Sequence, residues 1–462
     1  MRAAADTTVH LSEWAASARF RDVPEYQNVI LNAWVDTVGV TLAGYRVEEL
    51  APVRSFAREA GLGAPGEAQC WGDGAAVSPA GAALLNGTAG HVMDYDDVHP
   101  IVHGHPSTVL FPGLVAAAQH VDASPERLFD GYVAGLGVMT AMGVMFGPDH
   151  YTHGWHSTGT CGAIGTAAGI AVMLDMEPAE VRKVMSAAAS MASGLRANFG
   201  TTLKPLHAGL AARSAVEAAL LVRAGASAHP SAIEGALGAV AVFGDGSWPG
   251  GFTDPVNAAL SAARRSPEQL GLKLYPSCLG THYAIDAALD VRKQLRGEAI
   301  ERITVRIPRG ARTALLYDDP TSGLESKFSL PFAVSVALAH GLPGPGRFTD
   351  RGVGDPATRE LMARLTVAED AEGGDAAAAM DRRYAEVEAQ GVHGSRALSR
   401  VTSPRGSAGA PASSADVDAK FLACAEGLGE SGARDLLQIL RHPLQLQTLR
   451  GLFPVSGGER IP

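Results

Sequence analysis

The chain has little lysine, little cysteine and no excess of positive charge. Its 462 residues carry 38 basic and 48 acidic side chains, a net charge of −10, which argues against the basic surface that DNA or RNA binding requires. Cys70, Cys161, Cys278 and Cys424 are far apart and form no CxxC pair, so we expect neither a zinc site nor disulfides. Residues 1–13 contain no apolar run of the kind found in secretory signals, which predicts a cytoplasmic protein.

One segment approaches the length of a membrane span. Residues 131–148 carry no charge over 18 positions, but five of these positions are glycines. Glycines allow helices to pack closely, and no other segment of comparable length would accompany a span. We therefore expect a buried helix and no membrane partner.

Helical patterns dominate the first 265 residues. Serine followed by proline marks two helix starts, at Ser78-Pro79 and Ser124-Pro125, because serine caps a helix and proline fits its first turn. No strand is required in this part. The predicted helices cover residues 24–45, 48–60, 79–93, 107–121, 125–147, 160–174, 178–195 and 206–224.

The pattern changes near residue 270, where period-two alternation begins. The predicted elements are strands over 301–308, 383–390 and 395–401, helices over 326–341, 355–365, 416–428 and 432–440, and a loop over 366–379. The fold class predicted is therefore mainly α with an α+β part. An all-helical domain of residues 1–268 plus 405–462 is interrupted by an inserted α+β domain of residues 269–404.

Histidines concentrate in one seventh of the chain, since eight of the fifteen lie between His91 and His156. Residues 93–107 place aspartates and imidazoles between two predicted helices, and residues 149–160 lead into a helix of small residues whose first amides could hold an anion. Metal ligation, a helix-capping polar loop and acid–base catalysis are all open interpretations. The run lacks an HxxxH or HExxH arrangement on a helix, which disfavours metal, so we favour acid–base catalysis, although His156 could equally be a buried structural residue.

Lysine usage points to two positions. The chain has six lysines among its 38 basic residues, so arginine is its usual cation. Lys204 and Lys273 lie in irregular segments next to prolines, where a compact ammonium is more useful than on a helix surface. We expect the other lysines, Lys183, Lys293, Lys327 and Lys420, to be solvated surface residues. Two lysines, two or three histidines and an aspartate suit a small polycarboxylate substrate.

Five motifs follow one another along the chain, at residues 86–97, 105–107, 154–160, 204–209 and 273–287. Their sequences are NGTAGHVMDYDD, HPS, GWHSTGT, KPLHAG and KLYPSCLGTHYAIDA. Together they resemble the MmgE/PrpD family, which includes 2-methylcitrate dehydratase, cis-aconitate decarboxylase and iminodisuccinate epimerase. The resemblance covers nearly the whole chain, although Val98 replaces a threonine that often follows the paired aspartates.

The resemblance implies a helical domain with an α+β lid, a homodimer, and no metal or organic cofactor. Carried over by motif, the catalytic residues would be Asp94, His105, His156, Lys204, Lys273 and, from the lid, Tyr317. The substrate-binding residues would include His103, Ser107, Thr158, His207 and Ser277.

Three chemistries of a small carboxylate remain open. We favour dehydration of a 2-hydroxy di- or tricarboxylate resembling 2-methylcitrate, ahead of a cis-aconitate-type decarboxylase and an epimerase or isomerase. A binding protein without catalysis is the alternative from another class. Dehydration needs a base and an acid, so we expect one neutral and one protonated imidazole, from His105 and His156. Asp94 would orient His105 or hold a substrate hydroxyl.

Overall fold

The computed structural model describes residues 7–244, 254–370 and 383–453, and these residues fold into two bodies. The first is mainly helical and contains a short antiparallel hairpin, β1 (Pro65–Gln69) with β2 (Ala76–Val77). Its helices are α1 (Thr7–Ser17), α2 (Gln27–Gly44), α3 (Ala51–Glu59), α4 (Pro79–Val92), α5 (Ser107–Val121), α6 (Pro125–Thr152), α7 (Ser157–Met173), α8 (Pro178–Ala189), α9 (Leu203–Arg223), α10 (Ala239–Phe243) and α11 (Pro255–Arg264).

The second body is built around a four-stranded sheet. Its elements are α12 (Leu279–Leu295), β3 (Ile300–Pro308), α13 (Gly323–Ser326), α14 (Leu330–His340), α15 (Asp350–Val353), α16 (Pro356–Met362), β4 (Leu365–Asp370), β5 (Ala385–Gly391) and β6 (Arg396–Val401). The strand order is β4-β3-β5-β6, with β3 parallel to β4 and the other pairs antiparallel. Apolar residues of α12, α14 and the sheet form a core of their own. The mainly α fold with a smaller β part is therefore confirmed.

The last helices return to the first body. Both α17 (Ser414–Cys424) and α18 (Gly429–Arg441) contribute apolar side chains to its core, and Phe421 lies against Gly39 of α2. Leu270 and Leu272 also belong to this core, so the linker residues just beyond position 268 pack with the helical body. The domain limits at 268 and 404 stay a prediction.

Two central helices touch through their glycines. A Cβ on Gly169 of α7 would lie 2.4 Å from the carbonyl oxygen of Gly131 on α6, and one on Gly165 would lie 2.7 Å from that of Gly135. Helix α6 is the one described helix long and apolar enough to cross a membrane, and 83% of its most apolar window is buried. It bends at Gly147, where φ is +73°. The prediction of a buried, glycine-packed helix is confirmed.

Serine caps mark two helix starts as predicted from the sequence. Several other helices and strands were not predicted. The hydroxyls of Ser78 and Ser124 accept backbone N–H bonds at the starts of α4 and α6. The expectation that the first part needs no strand was wrong, because β1 and β2 pair through a bulged register that leaves no period-two pattern. The expected loop 366–379 was wrong at its start, which forms β4 alongside β3. Residues 371–382 lie outside the described residues. Helices α1, α11 and α12 were not predicted.

Helix α9 approaches α4 so closely that a side chain at Gly209 would clash with α4. A Cβ on Gly209 would lie 2.2 Å from Thr88 Oγ1 and 2.3 Å from the Leu84 carbonyl oxygen. We expect Gly209→Ala to lower the free energy of unfolding by about 1–3 kcal/mol, measured by urea denaturation. Gly63→Ala, where nothing lies within 4 Å of the new Cβ, should change it little. An unchanged or more stable Gly209→Ala protein would mean that the better helix propensity of alanine outweighs the clash.

Candidate active site

A cavity of about 490 Å³ lies between the two bodies. Its wall brings together groups that are far apart in the chain. Those from the helical body include Asp94, His103, His105, Tyr151, His156, Phe199 and Lys204, and those beyond residue 268 include Lys273, Cys278, Tyr283, Leu315, Phe328 and Arg383.

Asp94 lies between two buried lysines at this cavity. The ammonium of Lys204 donates a hydrogen bond to Asp94 Oδ1, and Lys273 Nζ lies 2.9 Å from Asp94 Oδ2 and 3.0 Å from the Asp94 carbonyl oxygen. All three side chains are at most 4% exposed. Burial alone would raise the pKa of Asp94, but the two ammonium groups outweigh it and hold that pKa well below its usual range. The carboxylate is therefore ionised.

The backbone explains how Asp94 reaches both lysines. Helix α4 ends at Val92, and Asp94 adopts φ = +52°, a left-handed conformation that Asp and Asn tolerate better than most residues. This turn directs the carboxylate toward the first turn of α9, which carries Lys204, and toward the linker that carries Lys273.

The imidazole of His105 has a defined tautomer. Its Nδ1 lies 2.8 Å from the carbonyl oxygen of Asp97, which can only accept, so Nδ1 carries the proton. Nε2 then has a free lone pair 3.8 Å from Asp94 Oδ1. Thr158 Oγ1 accepts the backbone N–H of His105 at 3.1 Å. His105 is thus held so that Nε2 can take up a proton.

His156 lies near the same lysine and is paired with another histidine. Its Nδ1 is 3.0 Å from Nδ1 of His207, so one of these two nitrogens donates to the other. The side chain is buried, and its ring meets Phe199 edge-on at 5.0 Å. His156 therefore presents one nitrogen to the cavity wall and uses the other for orientation.

Burial and neighbouring charges favour the neutral form of both candidate acid–base histidines in the free protein. Burial lowers the pKa of His105 well below its usual range, and Lys273 and Lys204 lower it further. Burial and the charge of Lys204 likewise depress the pKa of His156. The expectation that one of the two is protonated near pH 7 stays a prediction; the pKa directions in the free protein oppose it, because both rings lie out of water beside ammonium groups.

A group of potential metal ligands lies beside the lysines. His91, Asp94, Asp96 and His105 offer ligand atoms that are all within 4.8 Å of one another. However, His91 Nδ1 already binds Asp96 Oδ2 at 2.7 Å, and both oxygens of Asp94 face ammonium groups. A divalent cation would lie next to two positive charges, so these residues fit a metal poorly.

The expectation of surface positions was wrong for two lysines. Lys327 is buried and donates to the Val92 carbonyl oxygen at 2.8 Å. Lys420 is buried, pairs with Asp36 Oδ1 at 2.6 Å, and donates to the carbonyl oxygens of Tyr95 and Lys273. These two lysines connect the second body and α17 to the Asp94 turn. Lys183 and Lys293 are exposed as expected.

The structure brings only some of the expected substrate-binding residues to the cavity. His103 is in its wall, whereas Ser107, Thr158, His207 and Ser277 are buried behind it. Ser107 binds Asp97 and Tyr132, and Ser277 binds Thr281, so these hydroxyls are occupied by protein partners. Thr158 and His207 contact the two cavity histidines instead.

Tyr317 is also outside the cavity wall in this conformation. Its hydroxyl donates to the Phe199 carbonyl oxygen at 2.8 Å, and its ring lies against Gly200. The residue therefore joins the second body to the segment before α9.

Sequence reasoning missed three groups that the cavity region uses. Arg383 and Cys278 line the cavity, and His91 with Asp96 forms a buried dyad whose imidazole is 4.4 Å from the His105 ring. Arg383 carries no sequence signal, since it belongs to no motif. Cys278 and His91 lie inside the motifs quoted above, so the sequence pointed to their positions. It did not indicate what either side chain contacts.

Asp94 should be the group on which the buried lysines depend. Asp94→Asn keeps a residue that tolerates the left-handed turn but leaves two buried ammonium groups without a counter-charge. We expect it to lower the free energy of unfolding by about 3–5 kcal/mol, and Lys204→Met to cost less because Lys273 still neutralises Asp94. Urea denaturation measures both. Asp290→Asn is the control, since Asp290 pairs with Lys293 on the surface; an Asp94→Asn protein as stable as this control would contradict the expectation.

Buried histidines should make the protein acid-sensitive. Burial lowers the pKa of His99 and of His150 to about 4, while the unfolded chain protonates them near pH 6.5. The unfolded state therefore binds more protons between these values, and stability present above pH 6.5 is lost as pH falls to 4. We expect about 2 kcal/mol of loss per imidazole at pH 5. In urea denaturation at pH 7 and 5, His99→Gln should lose less than wild type, and His393→Gln, at an exposed site, should match it.

The chain is similar in sequence to several known proteins. Human cis-aconitate decarboxylase is 28% identical over 306 residues, which cover 63% of this chain and 61% of that protein. The mouse protein of the same name is also 28% identical, and one from Aspergillus terreus is 24% identical over 72% of this chain. The chain spans about three fifths of the length of the two mammalian relatives.

Two family models divide the chain between them. The MmgE/PrpD N-terminal domain matches residues 9–250, and the MmgE/PrpD C-terminal domain matches residues 275–445. The second match includes α17 and α18, although these helices pack on the first body. The matches extend over most of the described residues and over the motifs noted above, except that Lys273 and Leu274 lie between the two matches. The chain belongs to the MmgE/PrpD family.

Proposed function

We propose that the protein is a cofactor-independent lyase that decarboxylates a small unsaturated polycarboxylate of the cis-aconitate type. The observation that carries this proposal is the buried pair Lys204 and Lys273, which converges on Asp94 in a cavity walled by His105 and His156. Two ammonium groups converge on one carboxylate in a site poor in water. Such a site favours an anionic substrate and, more strongly, a transition state in which charge concentrates on one carboxylate.

Decarboxylation requires the protein to stabilise a developing negative charge and to supply one proton. The bond between the CH₂ carbon of cis-aconitate and its carboxylate breaks, releasing carbon dioxide. The electron pair left behind shifts through the adjacent double bond and becomes an enolate on the carboxylate at the far carbon. A proton added to that carbon completes an itaconate-like dicarboxylate. Lys204 and Lys273 would stabilise the enolate, which bears more localised charge than the substrate.

Substrate binding itself would supply the proton carrier. The pKa values of His105 and His156 are low in the free protein because of burial and the neighbouring ammonium groups. A bound polycarboxylate offsets those charges and raises both pKa values. His105 can then take a proton on Nε2 while Nδ1 continues to donate to the Asp97 carbonyl, and deliver that proton to carbon.

Dehydration is the second candidate, and one observation favours it. The cavity wall includes imidazoles from two different loops, among them His105 and His156, so one could remove an α-proton and the other could protonate a departing hydroxyl. Sequence analysis favoured this reaction on a 2-methylcitrate-like substrate. The relatives reported above are named as decarboxylases, and for that reason we place decarboxylation first.

We further propose that the second body acts as a lid over the cavity. Support comes from its polar contacts with the helical body, in which Tyr317 donates to Phe199 and Arg196 donates to the Thr313 carbonyl. These contacts, together with the bond from Lys327 to the Val92 carbonyl oxygen, would have to break for the bodies to separate and admit a substrate.

The proposed activity can be tested directly. Purified protein is incubated with cis-aconitate, citrate and 2-methylcitrate, and products are followed by proton NMR together with carbon dioxide release. We expect carbon dioxide and new =CH₂ signals from cis-aconitate. Alkene formed from 2-methylcitrate without carbon dioxide would establish the second candidate instead. Absence of turnover with all three compounds would contradict the proposal.

The lysines should matter most for turnover. We expect Lys204→Met and Lys273→Met each to lower kcat/KM by about 10²–10³, because each removes one charge from a water-poor site. Lys183→Met, which removes an exposed lysine on α8, is the matched control. Circular dichroism verifies folding. A folded Lys204→Met or Lys273→Met protein within about threefold of wild type would show that the charge pair is not part of the reaction.

A further inference from the structure

Arg383 is a cation of the cavity wall without an ion-pair partner among the described residues. It comes from the second body, two residues before β5. Within residues 7–244, 254–370 and 383–453, its guanidinium forms neither an ion pair nor a hydrogen bond. The other two cations of the wall, Lys204 and Lys273, both pair with Asp94. Arg383 is therefore the cavity cation whose charge is available to a ligand.

The charge of Arg383 reaches groups on both sides of the cavity. Burial, and next the guanidinium of Arg383, lower the pKa of His103 to about 3. On the second body, burial raises the pKa of the Cys278 thiol, and the charges of Lys273 and Arg383 act in the opposite direction. His103 belongs to the helical body and Cys278 precedes α12, so Arg383 faces the space between the two bodies, where a substrate would lie.

An arginine at the wall of a cavity is well suited to bind a carboxylate of a ligand. Its planar guanidinium donates two parallel hydrogen bonds to a carboxylate and keeps its charge when partly buried. An unpaired cation at a cavity wall stays available for a ligand, and no carboxylate within the described ranges pairs with Arg383.

We propose that Arg383 binds the third carboxylate of a tricarboxylate substrate, while Lys204 and Lys273 hold the reacting end. This inference rests on the proposed function, since it assumes that a polycarboxylate occupies the cavity. Its consequence is selectivity: the cavity prefers tricarboxylates to dicarboxylates because of one residue from the second body.

The test measures binding of two unreactive ligands by calorimetry. Tricarballylate has three carboxylates on a saturated chain, and glutarate is the same chain without the central carboxylate. We expect wild type to bind tricarballylate more tightly than glutarate. In Arg383→Gln, tricarballylate affinity should fall at least tenfold, and the two ligands should bind within about threefold of each other. Arg383→Lys should retain part of the preference, because it keeps the charge without the planar fork.

The controls separate this inference from the proposed function. Arg396→Gln removes an exposed arginine of β6 in the same sheet and should leave both affinities unchanged. If Arg383→Gln keeps the wild-type preference, or weakens both ligands equally, the third-carboxylate role of Arg383 is wrong while the polycarboxylate function stands. If wild type binds neither ligand, both the function and the role of Arg383 are wrong.

Discussion

The carboxylate of Asp94 lies out of water between the ammonium groups of Lys204 and Lys273. Much of the surrounding structure offsets the free-energy cost of burying these charges. A buried charge without a partner is costly, whereas a charge with good geometry on both sides is tolerated. The turn after α4, the first turn of α9 and the linker at residue 273 must therefore all be in place together. Lys327 and Lys420 extend the same arrangement, because they bind backbone carbonyls on either side of Asp94.

The same arrangement determines the protonation state of the histidines. Positive charges and burial lower the pKa values of His105 and His156 in the free protein. Under the proposed function, the lysines carry the charge that binds the substrate, and the imidazoles can accept a proton afterwards. Asp94 therefore contributes to stability by pairing with the lysines. Under the proposed function it also affects substrate binding and proton transfer.

The two bodies contribute differently to the cavity. The helical body is packed through glycines, with the backbones of α6 and α7 in contact, and it holds Asp94, His105, His156 and Lys204 on one rigid wall. The second body adds Arg383 and Cys278 from the opposite side. The proposed reactive groups and the proposed selecting group, Arg383, therefore lie on different bodies.

The sequence by itself determined the fold class, the helix starts at Ser78 and Ser124, and the motifs that contain Asp94, His105, His156, Lys204 and Lys273, because capping, periodicity and residue scarcity are local properties. Only the tertiary structure decided which polar groups share an environment. It buried Lys327 and Lys420, occupied the hydroxyls of Ser107 and Ser277, and brought Arg383 to the cavity. Burial and pairing depend on contacts between segments hundreds of residues apart, and no local pattern encodes the distance between two such segments.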